Sequence, residues 1–307
     1  MTHSFRILFL IFVLLAWPSP SAQAQVCDTL FEVITTLRPP TFGFPTVWDA
    51  KYGKRDSMVQ LGSGIAMEGG TVFTIGRTLS KESFQPEKIV LAELNRRGRA
   101  LKEESYPAKS GEDPVKMIRL GEGMIALSNM RGGKGNSEKW ARLSWYDAAG
   151  HYKREYIIKD AVFDYTAVNL VAATEQAGFI AVLHAVNRSD ETDQNGFLVR
   201  FTPSGQQLWR RAYRPGIPNK LSGLVPVDDT SYIAVGRIRL DDGRMAGWAM
   251  KLGFDGAVQW QRTYPRGRFS IFHDAALSPS QSADGRGFFL SGDSVPYDEG
   301  SEAAWIM

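Results

Sequence analysis

Apolar positions in this chain gather in short runs rather than on a helical period. Five runs match one another: VFTIG (72–76), MIALS (124–128), FIAVL (179–183), YIAVG (232–236) and FFLSG (288–292), with starts 52, 55, 53 and 56 residues apart. Each is rich in β-branched and aromatic residues and is bounded by glycine or polar loops. That pattern predicts strands buried on both faces, and self-similarity at a fixed period is the mark of a repeat architecture.

Further strands flank each run. A second strand follows after a polar loop: IVLAEL, ARLSWY, FLVRF, WAMKL and AAWIM. In the first four units it leads into a tight turn, NRRG, DAAG, TPSG or GFDG, ending at Gly98, Gly150, Gly205 or Gly256. Glycine supplies the positive φ such a turn needs. Eight residues after three of these glycines come Tyr106, Tyr213 and Tyr264, which close an outer strand. Ahead of each run lies SMVQLGSGIAM, VKMIRL, TAVNLVAAT, KLSGLVPV or IFHDAALS.

Four strands per unit of about 54 residues, with no helical period, predict an all-β chain. The expected fold is a five-bladed β-propeller of four-stranded antiparallel blades, since radial stacking buries both faces of each sheet. The units span about 57–106, 113–158, 164–213, 219–264 and 270–307. The last stops before its glycine turn and outer strand. The spacing Trp48-x-x-x-Tyr52 matches the outer strands WRRAY (209–213) and WQRTY (260–264). Residues 45–52 are therefore expected to complete the fifth blade and close the ring, within a single domain of residues 45–307. An ending at Met307 leaves open a further reading, a fragment of a longer surface repeat protein.

The unit WAMKLGFDGAVQWQRTY (248–264) resembles secreted bacterial β-propeller repeats whose consensus is similar to WLVKLDSNGNVLWSKTYGG. The resemblance spans residues 45–307 and is weakest in the second unit, which lacks the outer-strand tryptophan. It implies a propeller fold and a surface or exported location, more than an activity. A fainter similarity to quinoprotein propellers rests on the glycine and tryptophan at the same turn. Their cofactor-binding pattern does not occur here.

The N-terminus changes the picture of location. Residues 1–24 carry one Arg, an apolar run of 11 residues from Ile7 to Trp17, two prolines and the ending Ala22-Gln23-Ala24. This reads as a cleavable signal peptide, too short for the roughly 20 residues of a spanning helix. Cleavage near Ala24 predicts a secreted, periplasmic or cell-surface protein with an extension at 25–44 and no transmembrane span. Loss of Arg6 takes the formal charge from +3 to +2, and no basic run marks a nucleic-acid partner. The single cysteine, Cys27, forms no internal disulfide.

Candidate chemistry follows from propeller geometry, where the start of the innermost strand and the end of the next share a face. The innermost strands start at Asp56, Asp113, Asp164, Asn219 and Asp274. The second strands are followed by Arg77, Asn129, His184, Arg237 and Asp293. Varied polar loops open there too, and loops on a rigid scaffold carry function. Asp56, Arg77, Asp113, Asp164, His184 and Arg237 are the expected ligand contacts. A structural reading pairs Asp56 with Arg77 and Asp164 with His184. Asp274 and Asp293, with His273 adjacent, are the residues for acid/base chemistry, because two close carboxylates share a proton or a cation.

The leading expectation is an exported binding module without catalysis, recognising a protein or glycan. The alternative is an extracellular glycan-active hydrolase that uses channel-mouth carboxylates. No cofactor is expected. The acidic loops SDETDQN and LDDG could offer oxygen ligands to Ca²⁺ but lack EF-hand spacing, and no zinc cluster is present in the sequence.

Overall fold

The computed structural model describes residues 57–306, apart from 68–69, 110, 133–136, 174–177, 215–216, 229, 283–284 and 298–302. Among the described residues there are nineteen strands and no helix. The first sheet is β1 (Ser57–Ala66), β2 (Val72–Ser80), β3 (Pro86–Leu94) and β4 (Ala100–Pro107). The second is β5 (Asp113–Leu120), β6 (Gly123–Gly132), β7 (Glu138–Tyr146) and β8 (Tyr152–Ile158). The third is β9 (Phe163–Ala172), β10 (Phe179–Asn187), β11 (Gln194–Phe201) and β12 (Gln207–Tyr213). Each is an antiparallel sheet with its strands side by side in chain order.

The next four strands repeat the plan: β13 (Asn219–Asp228), β14 (Ser231–Arg239), β15 (Met245–Gly253) and β16 (Val258–Tyr264). Three more follow, β17 (Phe269–Ser282), β18 (Gly285–Val295) and β19 (Ala303–Ile306), also antiparallel. A parallel pairing of Met245 with Phe269 joins these two groups into one sheet. The five apolar runs lie in β2, β6, β10, β14 and β18, as the pattern predicts. The segment 45–52 and Asp56 lie outside the described residues.

The innermost strands pack in sequence order, β1 on β5, β5 on β9, β9 on β13 and β13 on β17. Apolar residues fill the spaces between the first four sheets, burying the runs of β2, β6, β10 and β14. In β18 the expected two-sided burial is not met, with Phe289 50% exposed. Leu143, Trp145, Phe179 and Phe201 belong to one such layer, and Val182, Leu198, Tyr232 and Trp248 to the next. Every innermost strand carries a bulge at a corresponding place, skipping Gly62, Val115, Val168, Ser222 or His273. A bulge adds local twist and bends the strand. At Gly62 a side chain is impossible, because a Cβ would sit 2.3 Å from the Pro114 carbonyl oxygen of the neighbouring sheet.

Contacts between sheets converge on the glycine turns. Gly98, Gly150, Gly205 and Gly256 all take positive φ. Tyr106 donates its hydroxyl to the Gly150 carbonyl at 2.9 Å, and Tyr213 does the same to Gly256 at 3.0 Å. A cation from the preceding sheet also donates to three of these turns, those of Gly150, Gly205 and Gly256. Lys102 reaches the Ala149 carbonyl at 2.7 Å, Arg154 the Ser204 carbonyl, and Arg200 the Phe254 carbonyl at 2.7 Å.

The second sheet departs from the pattern in an instructive way. In the third and fourth sheets a cation on the third strand faces a tryptophan on the outer one, Arg200 opposite Trp209 and Lys251 opposite Trp260. In the second sheet the pair is exchanged, with Trp145 on β7 opposite Arg154 on β8. The Arg154 guanidinium lies 4.1 Å over the Trp145 ring. Only the strand that carries each partner differs.

Candidate functional site

Strand register defines a rung of cross-strand pairs two residues before each bulge. The pairs are Gln60 with Arg77, Asp113 with Asn129, Thr166 with His184, Lys220 with Arg237, and Ile271 with Asp293. The residues that follow the apolar runs thus share one level. The innermost-strand residues do not. Of Asp113, Asp164, Asn219 and Asp274, only Asp113 stands on the rung, because unequal links between units shift the chain along its strand.

Arg77 donates to the Gln60 side chain at 2.9 and 3.1 Å and pairs with Asp113 of the next sheet at 3.3 Å. The expected pairing of Asp164 with His184 is corrected: Asp164 takes Arg188 at 2.7 Å and accepts from the Lys139 amide. Two residues of strand separate it from the rung on which His184 stands. Asn219 is buried and structural, accepting from the Gly196 amide at 2.8 Å while its amide group donates to the Tyr213, Arg214 and Ile217 carbonyls.

The carboxylates of the last sheet do not face one another in register. Asp274 stands opposite Ser291 and Asp293 opposite Ile271, with the His273 bulge between the two rungs. The His273 Nε2 engages Asp293, and Asp274 accepts from the Ala275 amide at 2.8 Å.

His184 and Arg237 sit in different surroundings. Both are half-buried, and the His184 Nδ1 and Arg237 Nε are buried without a hydrogen-bond partner. Burial, together with the charges of Lys220, Arg237 and Lys139, pushes the His184 imidazole down to about 4. Lys220 is held below its ordinary range by burial and by Arg237, and Arg237 by burial. Arg237 stacks on Phe269 with its guanidinium carbon 5.4 Å from the ring centre.

A cleft of about 630 Å³ opens beside these residues, lined among others by Phe163, Phe197, Pro218 and Arg239, with Asp190 and Asp193 from the acidic loop. Pro218 and Arg239 lie two residues beyond Lys220 and Arg237 on the same pair of chain segments. Asp190 and Asp193 are occupied within the loop. Asp190 accepts from the Thr192 amide and hydroxyl, and Asp193 from Asn187 and Asn195. Asp242 of LDDG pairs with Arg244 at 2.6 Å. Among the described residues no group of three His, Cys, Asp or Glu is placed to hold a metal ion.

Lys220 was not among the residues singled out by sequence, although Arg237 was. Counting from the strand start selects Asn219, whereas pairing across the strand selects its neighbour. The five bulges, invisible as a motif, are what set that register.

No protein-family model matches the chain, and no curated protein sequence matches it. Among solved structures it is similar to a mutant of the Synechocystis apocarotenoid oxygenase, with TM-score 0.51 and 12% identity. That match covers 81% of this chain and 59% of the oxygenase, so the chain spans about three fifths of that relative's length. The fold is propeller-like. A second mutant of the same oxygenase gives TM-score 0.50 at 12% identity, over 81% of this chain and 58% of that one. An endo-arabinase from Bacteroides thetaiotaomicron gives TM-score 0.45 at 12% identity, covering 84% of this chain and 94% of that one. At this identity the likeness is one of fold and not of activity.

Proposed function

We propose that this protein is an exported binding module built as a five-bladed propeller, taking its ligand on the face where the innermost strands begin. The observation that carries the reading is the cleft between the third and fourth sheets at that face. It is bordered by the 188–193 loop, which is held in shape by its own side chains, and by Arg239. A pre-shaped concave site with a few convergent polar groups is the usual form of a ligand pocket. The rung supports it as well. Turn positions keep glycine in unit after unit, whereas the equivalent rung position holds Arg77, Asn129, His184, Arg237 and Asp293.

The five-blade count rests on the order in which the innermost strands pack and on the repeated bulge. Closure would come from 45–52 adding beside β19 and from β17 meeting β1. The turn contacts suggest how: Tyr52 is expected to donate to the Gly98 carbonyl, as Tyr106 does to Gly150 and Tyr213 to Gly256. Export follows from residues 1–24 alone. The hydrolase alternative requires Asp274 and Asp293 to act on one bond, and the engagement of Asp293 by His273 favours the binding reading.

A binding screen of residues 25–307 against glycans and divalent cations tests the proposal, repeated with Arg239→Ala. Hits that weaken about tenfold in the variant, the equivalent of about 1.4 kcal/mol, are the expected result. Hits unchanged by Arg239→Ala but lost in Asp274→Asn and Asp293→Asn would overturn the cleft assignment.

A further inference from the structure

A buried or half-buried cation without an anion is costly, and here two stand together. Lys220 and Arg237 face each other across one rung, and β13 also packs against β10, which carries His184. Among the described residues neither cation has a carboxylate partner or a hydrogen bond, and no carboxylate contributes to the charge felt by His184. Other cations of this protein are differently placed. Arg77, Arg188, Arg210 and Arg244 each hold an Asp. The Arg237 guanidinium carbon lies over the Phe269 ring at 5.4 Å from its centre, and its buried Nε has no hydrogen-bond partner, so its N–H groups remain donors.

We propose that Lys220, Arg237 and His184 form a binding site for a dianionic tetrahedral oxyanion, a phosphate or phosphomonoester group. Two fixed positive charges match a charge of two on the ligand. Arg offers its planar fork of donors, Lys a mobile point charge, and neutral His184 one ring N–H. The site lies beside Arg239 and Pro218 of the cleft, so the inference rests on the binding reading above and names the ligand's charged group.

The test uses residues 25–307 titrated with inorganic phosphate and, separately, with glycerol phosphate at constant ionic strength, with acetate as the monoanion control. Side-chain NMR signals of His184 report occupancy. Saturable shifts with either phosphate and not with acetate are expected, along with a rise of the His184 pKa on binding. Saturation by glycerol phosphate at about tenfold lower concentration than by inorganic phosphate would assign the site to an ester; the reverse would assign it to free phosphate. Lys220→Met and Arg237→Met should each weaken binding about tenfold or more, as loss of a charge-assisted hydrogen bond does.

A second readout separates binding from a structural role. Because Lys220 has no partner to lose, Lys220→Met should raise the melting temperature of the ligand-free protein. A lowered melting temperature together with unchanged phosphate response would overturn the proposal, as would shifts that fail to saturate. Hits in the cleft screen with no phosphate response would refute this inference alone. Phosphate saturation without any screen hit would leave it standing and exclude glycans and divalent cations as the cleft's ligands.

Discussion

His184 is buried among cations, and that gives it a measurable signature. Its ordinary value is 6.5 and in the folded protein it falls to about 4, through burial first and then Lys220, Arg237 and Lys139. Between those values the unfolded chain takes up a proton that the native state refuses. Stability therefore falls as the pH drops from about 6.5 to about 4, by at most about 3 kcal/mol. Urea unfolding across this range should show the loss, and His184→Gln should flatten it. An equal slope in both proteins would contradict the account. At this scale the sequence was partly legible. His184, Arg237 and Asp293 could be placed on one level because each follows an apolar run by the same count. Lys220 could not, since a bulge is a backbone event that no residue type announces: its five positions hold Gly, Val, Val, Ser and His.

Individual strands and turns were the most legible features, because burial on both faces imposes continuous apolar runs and tight turns impose glycine. The partners between sheets were not. Tyr213 appears in sequence only as the end of an outer strand, yet burial raises its hydroxyl pKa and the group is spent on the Gly256 carbonyl. Tyr213→Phe should cost about 1 kcal/mol in chemical denaturation, the net worth of one hydrogen bond plus an orphaned acceptor. At Gly256 itself φ is 81°, and a Cβ would lie 2.9 Å from the Trp209 ring. Gly256→Ala should destabilise by more than about 1 kcal/mol, since strain and overpacking add there. A change under half that in either variant would mean the turn is not a junction between sheets.

The second sheet shows why a weak repeat need not be a weak element. Its missing outer-strand tryptophan is supplied across the ladder as Trp145 under Arg154, and it carries a buried charge network besides. Arg142 pairs with Glu112 at 2.7 Å, with side chains 7% and 2% exposed, and meets Glu155 at 2.9 Å. Burial still raises the Glu112 pKa despite Arg142. Arg142→Met should cost about 3–5 kcal/mol by stranding Glu112, and the double change with Glu112→Met should recover much of it. Double-mutant denaturation curves check this; additive losses would contradict the pairing.

At the level of the whole molecule, successive sheets among the first four are held together by a tyrosine or a cation laid on a glycine turn and by apolar layers that neither sheet could bury alone. The fourth joins the last through the Met245–Phe269 pairing. Such a chain of sheets gains from closing, because an open end leaves one layer exposed. On the closure proposed above, residues 48–52 would supply an outer strand to the last sheet, with Tyr52 expected to donate to the Gly98 carbonyl. A closed ring would also hold the first and last sheets in the positions that complete the ligand face. Amide hydrogen exchange of residues 48–52 tests this most directly. The account predicts protection that rises and falls with that of Ala303–Ile306 and weakens in Tyr52→Phe. Exchange of 48–52 at the rate of an unstructured peptide, unaffected by Tyr52→Phe, would contradict it.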